Sequence, residues 1–426
     1  MYNQPMGHSL FFPSIAMISF HTCPLASQEG KETGGMNVYV LELSKQLART
    51  GMKVDIFTRA QDASNPKIVQ IEENLRLMHL SAGPTQPVAK KDLLKHIPEF
   101  AQKMSDFIDE EKIHYDVIDA HYYMSGLVAL ELEKRRTQLP PLLLTFHTLA
   151  LMKNLVARTE QELESSERID AEFLLAKRAQ KIICPSESER SYTHYLYGVP
   201  EEKIAIVPPG VDVSLFSPMD KIEAKKKILA DPEHKVVLFA GRIEPLKGID
   251  VLIYAMKILL TKHPHWEVCL WIVGGDVSGQ TTDWSRELKK LEQLRRVLKI
   301  PRAVHFVGQK SQSELRYYYN AAEVVVMPSH YESFGMAAAE AMACGVPVIT
   351  TNVSGIANFL DEKHKSLVTS ANNPLLLATH IEEVIENQKK YLELSESIRQ
   401  KVQDLGWKNI AQKMSKIYTN MFGLKK

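Results

Sequence analysis

Cysteine is the first scarcity. The 426 residues hold four, Cys23, Cys184, Cys269 and Cys344. They are too few and too scattered for a disulfide framework, and no two stand at metal-ligand spacing. This usage predicts reduced, mostly buried thiols in a cytoplasmic protein. An excess of one charge sign is missing too. Lys and Arg number 52 against 51 Asp and Glu, a net charge of +1, whereas a nucleic-acid-binding protein carries a basic excess. The first 210 residues hold 23 basic and 27 acidic side chains, which argues against a cationic membrane-docking face there. No apolar run reaches the ~18 residues that span a bilayer. Residues 10–18 are apolar, but no basic segment precedes them and Pro13 interrupts them. They predict a tail feeding a buried first strand rather than a leader. Neither G-x-G-x-x-G nor G-x-x-x-x-G-K-[ST] occurs, so the dinucleotide fingerprint and the P-loop are excluded. No D-x-D pair offers carboxylates to a divalent cation, so neither metal nor cofactor is expected.

What remains is ordinary globular material, 45% hydrophobic and 24% charged, with the length of two or three domains. Short apolar runs alternate with amphipathic windows. Strands are predicted over 15–20, 53–58, 75–80, 117–120, 142–146, 181–184 and 205–207. Helices over 37–50, 92–111, 125–138 and 171–180 fall between them. The pattern then restarts, with strands over 236–240, 267–273, 303–307, 324–327 and 346–350. Its helices cover 250–262, 284–298, 311–321 and 336–343. Alternation of this kind gives parallel strands with crossover helices, here as two doubly wound α/β units. The segment Pro208-Pro209-Gly210 is a stiff turn between them. The predicted division is 1–208, 209–400, and a last helix over 401–426 that packs back on the first unit.

In doubly wound sheets, ligands bind beyond the carboxyl ends of the strands, so the residues there are the candidates. Thr33-Gly34-Gly35-Met36-Asn37 opens a helix, and its two glycines admit a ligand close to the backbone; a plain turn is the alternative. His147 ends another strand, where a satisfied core histidine is the alternative. Arg242 and Lys247 straddle a strand-to-helix turn and form a plausible diphosphate clamp, unless they are simply solvated. Glu332 lies in the loop after strand 324–327, and Glu340 follows eight residues later on a helix of small residues. A carboxylate there is costly to bury unless a ligand hydroxyl, or an internal cation, satisfies it.

The Glu332…Glu340 pair, the Arg242/Lys247 turn, the Gly34-Gly35 loop and Pro208-Pro209-Gly210-Val211-Asp212 stand in the order of the retaining GT-B glycosyltransferases of family 4, which this chain resembles over its whole length. The segments His21–Leu25, Gly34–Leu43, His121–Gly126 and His147–Ala150 resemble the branch holding the D-inositol-3-phosphate glycosyltransferases and sucrose-phosphate synthase. The resemblance implies two Rossmann-like domains facing a cleft, with a nucleotide sugar, expected to be a UDP-sugar, as donor substrate. Arg242 and Lys247 would neutralise its diphosphate. Glu340 would meet the ribose, and Glu332 and His147 the transferred sugar. The backbone at Phe334, Gly335 and Met336 would meet sugar and phosphate, with Gly35 approaching the diphosphate from the first domain. Residues 307–309 would face the base. A phosphorylated polyol or sugar acceptor would be held by Asn37, Lys90, Tyr122, Thr148 and Arg168. Lys91, beside Lys90, leaves that register open. Arg168 could instead pair on a helix surface with Glu164 or Glu172. After the second glutamate the chain departs from the family pattern, with Ser354-Gly355-Ile356-Ala357-Asn358 where Gly-Gly followed by Pro-Glu is common, and Lys365-Ser366-Leu367-Val368 for a Thr-Gly-Leu-Leu-Val run.

The implied reaction is hexosyl transfer with retention, by front-face attack in which the departing phosphate oxygen takes the acceptor proton. Two alternatives stand beside it: a lipid-linked or polysaccharide acceptor within the same family, and a nucleotide-sugar-binding protein that has lost catalysis. Partners are expected to be small molecules, with no nucleic acid; oligomeric state is open.

Overall fold

Fourteen strands form two sheets among the described residues, 13–26, 34–353 and 355–423 of a computed structural model. Residues 10–12, Thr33 and Ser354, all named above, lie outside them. The first sheet contains β1 (Ser14–Ile18), β2 (Lys53–Arg59), β3 (Ile68–Glu72), β4 (Leu75–Leu80), β5 (Val117–His121), β6 (Leu142–Thr145), β7 (Lys181–Cys184) and β8 (Ile204–Ile206), in the order β3-β4-β2-β1-β5-β6-β7-β8. Every pairing is parallel except β3 with β4. The second contains β9 (Lys235–Ala240), β10 (Val268–Val273), β11 (Val304–Gly308), β12 (Val324–Met327), β13 (Val348–Thr351) and β14 (Val368–Thr369), ordered β11-β10-β9-β12-β13-β14 and wholly parallel. Helices cover both faces of such sheets, so their central strands read as unbroken apolar runs. All four residues of β12 are buried.

The differences from the predicted elements have local causes. Edge strand β3 has only partly buried or exposed residues, and so lacks the apolar run that marked the others. The helix expected over 92–111 breaks into two 3-10 turns followed by Ile97–Glu110, because Pro98 occupies its first turn, where a missing N–H costs nothing. Helix Ser166–Arg178 begins earlier than expected: the Ser165 side chain accepts from the Arg168 amide and caps it.

The chain crosses between the sheets twice, and the crossings touch. The Val211 amide donates to the Leu405 carbonyl at 2.9 Å, and Val211 bridges Gly406. A side chain at Gly210 would lie 2.3 Å from the Trp407 ring, so glycine there lets the strap seat on the indole. The last helix, Trp407–Gly423, packs against helix Gly35–Arg49 of the first domain. Its Tyr418 hydroxyl donates to Asp119 of β5 at 2.6 Å.

Candidate active site

Strand order reverses between β1 and β5 in the first sheet and between β9 and β12 in the second. These are the switch points where adjacent crossovers diverge and leave a crevice. A cavity of about 600 Å³ lies between them, and the fifteen residues given individual donor, sugar or acceptor roles from the sequence all line it.

The second domain supplies one wall. Gly241 and Arg242 follow β9, and Lys247 lies on the next turn. Gly248, at φ 65°, lets helix Ile249–Lys262 start directly against the loop after β12, since a side chain there would meet the Pro328 carbonyl at 2.1 Å. This contact sets Lys247 beside Glu332: Nζ donates to Oε2 at 2.5 Å, and Lys247 is 9% exposed. Arg242 is different, half-exposed and paired with Glu244 at 2.8 Å. Gly335, at φ 107°, turns the loop into helix Met336–Ala343. Glu340, on that helix, is buried. It accepts from Tyr319 Oη at 2.8 Å and from Gln312 Nε2 at 3.5 Å. Burial pushes its pKa up to about 7. The departure from the family pattern braces this wall. The Gly355 amide donates to the Glu332 carbonyl at 3.2 Å and the Ile356 amide to that of Phe334 at 2.7 Å.

The first domain supplies the opposite wall. The backbone at Gly34 is extended, so the glycines are there for proximity, not for φ. A Cβ on Gly35 would lie 3.1 Å from Met336 Sδ across the cleft, and one on Gly34 would lie 3.7 Å from Arg242 Cδ. Asn37 is fixed by Thr22 Oγ1 and the Cys23 carbonyl. Tyr122 and His147 follow β5 and β6 with positive φ, 75° and 63°. Two bulky residues in this region mark a site whose surroundings enforce strained backbone. Lys90 Nζ stands 4.4 Å from the centre of the Tyr122 ring; Lys91 is exposed and does not line the cavity. Burial takes the His147 pKa down to about 3, so its imidazole is neutral.

Arg168 has the helix pairings considered from the sequence, but not their exposed setting. It is 2% exposed. Its Nε donates to Glu172 at 2.8 Å, one Nη pairs with Glu164 at 2.9 Å, and the other donates to the Thr148 carbonyl at 2.9 Å and Oγ1 at 3.2 Å. Its guanidinium also sits 4.9 Å from the Tyr122 ring centre. The fork therefore holds this wall of the first domain together as well as lining the cavity.

Several lining residues were not singled out as ligands from the sequence. His21 follows β1 and lies 4.6 Å, ring to ring, from Tyr122. Burial first, then Lys90, His147, Arg168 and Arg242, push its pKa down. Reading the residue after every strand would have found it. Lys153, bonded to Glu164, also lines the cavity, and of the range 307–309 expected to face the base only Gln309 does. Across the domain boundary, Glu189 accepts from the hydroxyls of Tyr331 and Ser333. Arg158 donates to Asp250 at 2.7 Å and to His330 at 2.6 Å. Among the described residues, the one cluster of metal-ligand type, His263, Glu382 and Glu386, lies outside the cavity. No helix among them is long and apolar enough to cross a membrane, and all four cysteines are buried without disulfides.

The site can be set beside known proteins. Residues 33–215 match the model of Glycosyltransferase Family 4, and residues 220–401 that of Glycosyl transferases group 1. The D-inositol 3-phosphate glycosyltransferase of Corynebacterium efficiens is 32% identical over 408 residues, covering 95% of each chain. One from Catenulispora acidiphila is 33% identical over 409 residues, covering 95% of this chain and 94% of that one. Among solved structures, sucrose-phosphate synthase from Thermosynechococcus elongatus superposes with a TM-score of 0.87 at 30% identity, over 97% of this chain and 100% of that one. Anabaena HepE in complex with UDP and glucose shares the fold, with a TM-score of 0.72 at 18% identity over 96% and 99% of the two chains. With both domain models matched along a two-domain GT-B fold, the chain belongs to glycosyltransferase family 4, whose members draw on nucleotide-sugar donors.

Proposed function

We propose that this enzyme moves a hexosyl unit, with retention, from a UDP-sugar to a small phosphorylated polyol or sugar. The observation that carries the reading is the pairing of walls across one cavity. Arg242 and the Lys247–Glu332 pair face the start of helix Gly35–Arg49, while Lys90, Tyr122, Thr148 and Arg168 gather on the first domain. Two helix N-termini, at Gly35 and Met336, add positive potential where a diphosphate would lie. Arg242 and Lys247 balance its charge as the leaving group departs. Glu340 takes the ribose hydroxyls, and Glu332 and His147 the hexose. The acceptor phosphate lies against Lys90 and Arg168, which presents the attacking hydroxyl to the face the phosphate leaves. The departing oxygen removes the proton. The protein's contribution is placement and charge. A panel of UDP, GDP and ADP sugars against inositol phosphate and fructose 6-phosphate tests the assignment; a lack of preference for phosphorylated acceptors would move it to the lipid-linked or polysaccharide alternative.

Three outcomes are expected. Lys90→Ala raises the acceptor KM about tenfold, near 1.4 kcal/mol, for phosphorylated acceptors and not for their dephosphorylated forms. Equal responses would remove Lys90 from phosphate binding. Activity persists in excess EDTA, because side-chain cations meet the diphosphate; loss restored by Mg²⁺ would disprove this. Donor affinity rises with pH. A ribose hydroxyl donates to Glu340 as a carboxylate, whose raised pKa of about 7 leaves it largely protonated at pH 6 and ionised at pH 8. Binding then releases protons, increasingly so toward low pH. Calorimetry with an intact nucleotide sugar, whose diphosphate does not titrate in this range, should show Kd falling from pH 6 to 8. A flat Kd would show that Glu340 does not bind as a carboxylate.

A further inference from the structure

Behind His147 a line of buried polar groups runs away from the cavity to the last helix. His147 Nε2 lies 3.0 Å from His121 Nδ1. His121 Nε2 lies 3.6 Å from Asp119 Oδ1, and the other Asp119 oxygen accepts from Tyr418 at 2.6 Å. The side chains of Asp119 and His121 are fully buried. Neither Asp119 Oδ1 nor His121 Nε2 has a hydrogen-bond partner, and their 3.6 Å approach is an ion-pair distance slightly longer than a hydrogen bond. The Tyr39 ring lies edge-on to both imidazoles, at 5.5 Å from His121 and 5.2 Å from His147. The rings are thereby fixed, and His147 Nδ1 is the nitrogen left for the cavity.

Proton bookkeeping along this line has two solutions. With Asp119 ionised, His121 points Nε2–H at the carboxylate. Its bare Nδ1 then accepts from His147 Nε2–H, and His147 Nδ1 is a lone pair. With a proton on Asp119, every hydrogen moves one place. His121 Nδ1–H donates to His147 Nε2, and His147 Nδ1–H faces the cavity as a donor. A neutral imidazole has one donor and one acceptor, and the bond at one nitrogen decides the other.

We propose that Asp119 and His121 are positioning residues which hold His147 in its Nε2–H form, so that a bare Nδ1 accepts a hydrogen bond from a hydroxyl of the donor sugar, and that Tyr418 holds Asp119 in place for this. The inference rests on the reading that His147 meets the donor sugar. It ties catalysis to the docking of the last helix, 299 residues along the chain from Asp119.

The titratable groups around the line are few. Asp119 is faced by Tyr418, Tyr39 and His121, and burial raises its pKa to about 7. His147 is faced by His121, Tyr39 and His21. Nitrogen NMR of the ring-labelled wild-type protein at about pH 8.5, with His147 assigned by His147→Ala, should show Nδ1 unprotonated. In Asp119→Asn, an isostere that stays uncharged, the tautomer should switch. kcat should fall at least tenfold, while affinity for the nucleoside diphosphate, which lacks the sugar, stays within about threefold. Tyr418→Phe should move the wild-type tautomer changeover to higher pH, because the lost hydrogen bond favoured the carboxylate. An Nδ1–H tautomer in the wild type at pH 8.5 would overturn the proposal, even if neither Asp119→Asn nor Tyr418→Phe folds. So would Asp119→Asn with wild-type kcat beside an inactive His147→Ala. If His147→Ala is itself fully active, the underlying reading of His147 is wrong instead.

Discussion

Lys247→Ala is expected to lower kcat/KM for the donor about a hundredfold, near 2.7 kcal/mol at 1.36 kcal/mol per tenfold. Two losses act in the same direction. The diphosphate loses a cation from a poorly solvated wall, where a charge-assisted hydrogen bond is worth about 1.5–3 kcal/mol. Glu332, with its side chain 17% exposed, loses the ammonium that lies 2.5 Å from it. Its carboxylate then repels the incoming phosphates. Arg242→Ala should cost less, about tenfold, because Arg242 is half in water and already shares its charge with Glu244. Adding Glu332→Gln to Lys247→Ala should recover part of the loss in donor binding, measured by calorimetry, but not in kcat, since Glu332 is the residue proposed to meet the sugar. The clamp would be disproved by a threefold or smaller change in donor kcat/KM for Lys247→Ala.

The second domain was the more legible half, for a physical reason. β9 and β12 are buried on both faces, so they appear as apolar runs, and the loops that follow them in sequence are loops that line the cavity. Glu332 and Glu340 lie within one strand-loop-helix unit, and a carboxylate among alanines announces its own cost. The first domain was harder. β3 is an exposed edge with no apolar run. The depth of Arg168 depends on how helix Ser166–Arg178 packs, which no local pattern reports; its pairing with Glu164 and Glu172 was visible as i±4 spacing, but its burial was not. The Asp119–Tyr418 contact joins a central strand to the last helix. Helical periodicity gives the helix an apolar face, and its packing on the first domain was expected, but the residues that meet there were not legible. Contacts between distant segments are what a single sequence conceals most, and here they connect the Arg168 wall of the cavity and His147 to the rest of the molecule.

Arg168→Ala is expected to destabilise the first domain by about 3–5 kcal/mol, the cost of removing one partner from a buried ion pair. The side chain of Glu172 has no exposure and that of Arg168 3%. Without the guanidinium, Glu172 keeps only the Tyr197 hydroxyl at 2.6 Å and the Ala150 amide at 2.9 Å. These are neutral donors for a full charge that water cannot reach. Glu164 retains Lys153, so Glu172 bears most of the loss. The Thr148 carbonyl and hydroxyl are released together, and for the fraction that stays folded the acceptor KM should rise about tenfold or more with donor KM little changed. Arg168→Lys should recover only part of the stability, because an ammonium cannot reproduce the planar fork that spans both carboxylates and Thr148. The double variant Arg168→Met/Glu172→Met should be markedly more stable than Arg168→Ala, since no charge is left stranded, yet it should bind a phosphorylated acceptor no better. Denaturant unfolding of the four proteins, compared with their acceptor kinetics, separates the two roles. A loss under about 1 kcal/mol in Arg168→Ala would mean that water reaches Glu172 when the arginine is gone, and the acceptor wall would then be a looser structure than its hydrogen bonds imply.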